Sequence, residues 1–174
     1  MLSLPIHAAT RFVLVRPHYP ENVGAAARAI KTMGFTRLVL VKPGRLAVPE
    51  HEMAQKMAVK SRDVLAPARI CATTDEAVAN ATLIFATTSR RGVSGVLQPR
   101  AASRLVLEHS CTGGNVAILF GNEKTGLSQD DLGLSHEIIR IPMAADQPSI
   151  NLAQAVQVLA YELMVAALDA RDGS

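Results

Sequence analysis

Four short segments combine residue types that could do chemistry. The first runs from Ile141, Pro142 and Met143 to Pro148, Ser149, Ile150 and Asn151, directly before a long apolar stretch. Asn151 can cap a helix there, with Gln154 completing a capping box. The same geometry presents free backbone N–H groups to a ligand. In the second segment, Gly121 and Gly126 have the spacing of a phosphate loop, but Leu127 stands where such a loop needs lysine. With Glu123 inside it, this loop suits a hydroxyl or an amino group, or is a plain backbone turn. The third places Thr87, Thr88 and Ser89 before Arg90 and Arg91, as a solvated loop or a ligand contact. The fourth runs from Asn22 to Arg28, with Arg28 and Lys31 on one helical face opposite a row of alanines.

Nucleophilic and metal chemistry have no counterpart. His7, His18, His51, His109 and His136 are scattered, and Cys71 and Cys111 lie far apart with no histidine pair beside them. No metal site and no disulfide framework is expected, and a reducing compartment follows.

The elements that must position these segments alternate. Compact apolar runs at 11–16, 37–41, 82–86, 116–120 and 138–141 read as strands. Helical patterns cover 21–33 with Asn22 as cap, 51–60, 75–80 with Thr74 as cap, 101–109 and 152–170. Strand–helix alternation with continuous apolar strands predicts an α/β domain, a mostly parallel sheet with helices on both faces. In such sheets ligands bind beyond the carboxyl ends of the strands. The loops after 16, 86, 120 and 141 are those carrying the unusual residues.

Composition narrows the class. The chain has 174 residues, 49% of them hydrophobic and 19% charged, which excludes a disordered chain and fits a single domain spanning 1–174. The longest apolar run, 152–168, is broken by Gln154, Gln157, Tyr161 and Glu162, and the start is too weakly apolar for a signal peptide; a soluble, cytoplasmic protein with no membrane partner is expected. Charge is uneven: residues 1–62 carry ten Lys/Arg against three Glu, so the net +3 is concentrated in the first third. That asymmetry suits a polyanion such as RNA, or is ordinary solvated surface.

Taken in order, the four motifs resemble one family. Asn22-x-Gly-Ala-x-Ala-Arg28, Thr87-Thr88-x-Arg90, Phe120-Gly-Asn-Glu123-x-x-Gly-Leu127 and Ile141-Pro-Met143 with Ser149-x-Asn151-Leu-Ala-x-Ala-Val156 are similar to the SPOUT methyltransferases. Within them the likeness is to the TrmH-like RNA 2′-O-ribose methyltransferases, closest to the TrmJ branch, over residues 11–168.

The resemblance implies a SPOUT fold with a deep C-terminal trefoil knot, S-adenosylmethionine as cofactor, and a homodimer with the site near the subunit interface. It implies cofactor contacts from Thr87, Thr88, Ser89, Gly121, Ile141, Met143, Pro148, Ser149 and Ile150, many through the backbone. It implies a catalytic set of Arg28, Ser149 and Asn151. Substrate RNA, with tRNA expected, would meet Asn22, Arg28, Arg90 and Glu123; the implied target is cytidine or uridine 32, with an rRNA ribose or a non-catalytic SAM- or RNA-binding module as the other readings. Arg16, Tyr19 and Ser89 replace an acid, a histidine and an alanine usual in that branch, and Lys60-Ser-Arg-Asp63 replaces its G-A-x-D. These changes are expected to add positive charge near the RNA face. The branch usually continues into a C-terminal tRNA-binding extension, absent from these 174 residues.

Overall fold

The computed structural model describes residues 1–173. Seven strands form one sheet in which every pairing is parallel, in the order β3-β2-β1-β6-β4-β7-β5. The strands are β1 (Thr10–Val15), β2 (Leu38–Val41), β3 (Arg69–Cys71), β4 (Leu83–Thr87), β5 (Val96–Leu97), β6 (Val116–Phe120) and β7 (Glu137–Ile139). The helices are α1 (Pro5–Ala9), α2 (Pro20–Thr32), α3 (Glu52–Ala58), α4 (Arg62–Leu65), α5 (Thr74–Val78), α6 (Pro99–Cys111), α7 (Gln129–Gly133) and α8 (Leu152–Asp172).

The central strands are apolar on both faces because both faces are covered. Along β1, Phe12 and Leu14 enter one core with Phe85, Phe120, Val156 and Leu159. Val13 and Val15 enter a second with Val39, Val41, Ala77 and Leu119. By length and mean hydropathy alone, α8 could cross a membrane. It instead buries Leu152, Val156, Leu159 and Leu163 against the sheet, as a core helix does.

Several boundaries differ from the sequence expectation. Strand 116–120 is as read, but the strand expected at 138–141 is Glu137–Ile139; beyond it the Arg140 N–H still bonds the Leu97 carbonyl of β5, and β5 itself ends there. The helix expected to start at a cap on Asn22 starts at Pro20 with Tyr19 as N-cap, because proline is preorganised for the first helical turn. The helix expected at 75–80 is Thr74–Val78, capped by Thr73 rather than Thr74. Asn151 does cap α8, its Oδ1 accepting the Gln154 N–H at 3.2 Å.

Two features of this architecture position the site. Strand β7 lies between β4 and β5, although β5 follows β4 in the chain. The 88–95 connection therefore runs from β4 to β5 across the carboxyl end of β7. Arg140 secures that crossing by donating to the carbonyls of Arg90 and Val93. Second, α2 lies close against α3 through Gly24, where a Cβ would sit 1.9 Å from the Ala54 carbonyl oxygen. Gly24→Ala should therefore destabilise the protein by about 1–3 kcal/mol. The measurement is the urea midpoint, and an unchanged midpoint would show that α2 and α3 separate freely.

Candidate functional site

A cavity of about 520 Å³ opens at the carboxyl end of the sheet, beyond β1, β4, β6 and β7. It falls within the size range of small-molecule sites. Its walls come from the segments singled out in the sequence: Asn22; Thr87, Thr88, Ser89 and Arg90; Gly121 and Glu123; Ile141 and Met143; and Pro148, Ser149, Ile150 and Asn151. Arg28 is the exception. It is exposed on α2 and does not line the cavity, so the chain does not by itself bring the three expected catalytic residues together.

The loop after β6 is shaped by a residue the sequence reading passed over. Asn122 Oδ1 accepts the N–H groups of Lys124 and Thr125, and its Nδ2 donates to the Arg16 carbonyl at 2.6 Å. The signal was an asparagine one glycine past the end of a strand, a turn-former by its own side chain. The turn closes so tightly that a Cβ on Gly121 would lie 2.3 Å from backbone atoms of Gly126 and Leu127. Any side chain at 121 has to open it.

Glu123 does not wait for a ligand, as its sequence context suggested it could. Its carboxylate accepts the backbone N–H of His18 at 2.8 Å and of Tyr19 at 2.9 Å, and the Asn22 Nδ2 at 3.0 Å. Asn22 Oδ1 in turn accepts from Asn151 Nδ2 at 3.1 Å. One hydrogen-bonded chain thus joins the loop after β6, the start of α2 and the cap of α8. Burial pushes the Glu123 carboxyl up, but the donors from Asn22, Tyr19 and His18 outweigh it and leave it below its ordinary value.

The basic residues are mostly engaged. Arg90, expected at the substrate, lines the cavity and through one guanidinium nitrogen reaches across to the carbonyls of Thr125 and Leu127, tying two cavity walls together. Arg16 pairs with Asp131, whose carboxylate also holds Thr74 and Ser128, so of the added charge expected at an RNA face the Arg16 share is paired within the protein while Lys60 and Arg62 are exposed. Lys31 bonds Asp63.

The wall from 142 to 150 is different in kind. Among the described residues its backbone makes one hydrogen bond of its own, Gln147 N–H to the Ala145 carbonyl. Its other amides and carbonyls stay available to a ligand, beside the apolar Ile139, Ile141 and Leu152. Backbone donors and acceptors next to apolar surface suit an adenosyl group, and the cavity is large enough for one. Among the described residues Glu123 is the one acid in the lining, and no cluster of metal ligands occurs.

Residues 9–161 match the model of the SpoU rRNA Methylase family. The chain belongs to that family. It is 39% identical, over 92% of its length, to a tRNA (cytidine/uridine/adenosine-2′-O-)-methyltransferase TrmJ of Pseudomonas aeruginosa, and spans 62% of that relative. A probable methyltransferase from Bordetella pertussis Tohama I superposes with a TM-score of 0.87 at 40% identity, covering 93% of this chain and 96% of that one. An AdoMet-bound rRNA methyltransferase from Sinorhizobium meliloti shares the fold, with a TM-score of 0.71 at 24% identity over 91% of this chain and 57% of that one. The SpoU family membership and the parallel α/β architecture agree with the resemblance seen in the motifs.

The Glu123 chain makes a testable demand. Glu123→Gln keeps one acceptor oxygen but places an NH₂ against donors, and should cost about 1–2 kcal/mol of stability. Because the folded carboxyl titrates below the unfolded value of about 4.3, its contribution is complete above that pH and fades as pH falls through the folded value. The stability gap between wild type and Glu123→Gln, measured by denaturant at several pH values, should be constant near neutrality and close in acid. A gap that persists unchanged to pH 3 contradicts the assignment.

Proposed function

We propose that this SpoU-family chain is an S-adenosylmethionine-dependent RNA 2′-O-ribose methyltransferase acting on tRNA, at cytidine or uridine 32 of the anticodon loop. The observation that carries it is the single cavity assembled from four sequence-distant motifs, with a free backbone wall on one side and the Glu123–Asn22–Asn151 chain on the other. The likeness to a TrmJ over almost the whole chain supports the substrate class. A single domain over 1–174, carrying the family's trefoil knot and working in the cytoplasm where tRNA is handled, goes with this reading.

When bound, S-adenosylmethionine supplies a methyl group already activated on a sulfonium. What remains for the protein is to align the ribose hydroxyl and favour loss of its proton. The cofactor contacts would come from 87–89, Gly121, Ile141, Met143 and 148–150. Ser149 is exposed at the cavity and, among the described residues, its hydroxyl makes no hydrogen bond, so it is free to meet the substrate hydroxyl. Asn151 is held by Asn22 and by the Gln154 N–H, which leaves one amide hydrogen to donate. Arg28 stays protonated and is a poor base, so its role is to stabilise the developing alkoxide and grip the adjacent phosphate. Since it lies outside the cavity of its own chain, bound RNA or a second copy must complete that approach.

Labelled S-adenosylmethionine with purified tRNA and rRNA pools, followed by nucleoside mapping, tests the reading. Label in a pyrimidine 2′-O-methyl nucleoside at tRNA position 32 is expected. Label confined to rRNA moves the substrate, and none in either pool overturns the activity.

Arg28→Ala should lower the single-turnover rate by roughly 10²–10³ while S-adenosylmethionine affinity holds. A rate within a few-fold of wild type at saturating RNA moves the catalytic role to Ser149 or Asn151. A homodimer is also expected, because Val158, Val165 and Ala166 on α8 stay half-exposed after the helix has packed on its own sheet. Sedimentation at micromolar concentration should give a species of twice 18.5 kDa. A monomer at that concentration excludes a stable pair.

A further inference from the structure

Aromatic side chains are scarce in this chain, with four phenylalanines, two tyrosines and no tryptophan. All four phenylalanines are fully buried. Two aromatics line the cavity, and while Phe120 is buried Tyr19 is 43% exposed. Its place is set without burial of the ring, because its own N–H and that of His18 are both held by Glu123. The His18 ring meets it edge-on at 4.7 Å between centroids. The Lys124 ammonium lies over the tyrosine ring, 5.8 Å from its centre, and 3.5 Å from His18 Nε2. Lys124 makes no ion pair among the described residues, unlike Arg16, Lys31 and Arg91.

An open ring with a fixed base and an unpaired cation beside it is the chemistry of single-stranded nucleotide binding. Unstacked bases lie on aromatic faces, and the cation meets the neighbouring phosphate. We propose that Tyr19, Lys124 and His18 form the platform on which the nucleobase of the target nucleotide stacks, with Lys124 on a flanking phosphate. The proposal rests on the RNA methyltransferase reading and adds the subsite that holds the base, on the Tyr19 and Lys124 side of the cavity. Stacking accepts either pyrimidine, because every base has a π-face.

The test uses the tyrosine itself as reporter. In a Tyr161→Phe background Tyr19 is the sole tyrosine, and a short pyrimidine oligoribonucleotide should quench its emission on binding. The same oligonucleotide with an abasic central position should quench far less. In methylation assays Tyr19→Ala should raise the KM for RNA roughly tenfold to a hundredfold, with kcat and S-adenosylmethionine affinity within a few-fold of wild type, and Tyr19→Phe should restore it. Lys124→Ala should reduce the salt slope of RNA affinity by about 0.7. An oligonucleotide retained on a filter but leaving Tyr19 emission unchanged overturns the platform, as does a wild-type KM in Tyr19→Ala. If the wild type quenches on binding yet methylates no RNA, the platform stands and the enzymatic reading fails.

Discussion

The Glu123 carboxylate is half-buried and must be solvated by the protein, and that demand organises the site. Three donors converge on it, two from the backbone just before α2 and one from Asn22 inside the helix. Tyr19 has no side chain able to cap α2, and Pro20 has no N–H to offer. The carboxylate caps no amide of α2 itself but fixes the two residues that lead into it, and a negative charge there also favours the helix dipole. A charge that fails to find these donors costs more than the bonds are worth when made, so the three segments are held in register by an avoided penalty.

The consequence reaches a second helix. Asn22 spends its amide nitrogen on Glu123 and its oxygen on Asn151, and Asn151 spends its oxygen on the first turn of α8. Both helix starts at the cavity are thus fixed by neutral amides relayed from one ionised group. On the opposite wall the work falls to arginines. Arg140 and Arg90 donate to carbonyls that no strand or helix partner can reach, because β7 is inserted between two strands consecutive in the chain. Crossing loops leave backbone acceptors without ladder partners, and long side chains with several donors are the available remedy.

This explains which parts were legible in the sequence. Strands such as Val116–Phe120 are buried on both faces and show as unbroken apolar runs. Arg69–Cys71 and Val96–Leu97 are two or three residues long and partly exposed, and α7 is polar, so none carries a period to read. The cavity was legible because ligands gather where strands end, and the segments with unusual loops supply its walls. Arg90 was read only as ligand-facing for a physical reason: a charge on a loop gives no sign of the carbonyls it also reaches. The joint role of Tyr19 and Lys124 was not legible because it depends on Glu123 reaching a segment about a hundred residues earlier in the chain.

The placement of Arg28 follows the same electrostatic logic. A guanidinium free inside the cavity would oppose any cationic ligand there, and the cavity's own arginine, Arg90, is anchored to carbonyls rather than aimed inward. Arg28 sits on α2 beyond the Asn22 turn, in solvent, where an isolated cation carries little desolvation cost. It becomes useful only when a phosphate arrives to share its fork of donors. A site arranged in this way keeps both arginines from opposing a positively charged cofactor. On the proposed function it would acquire its stabilising charge together with the RNA, so the electrostatics of the alkoxide are assembled only in the complex that needs them.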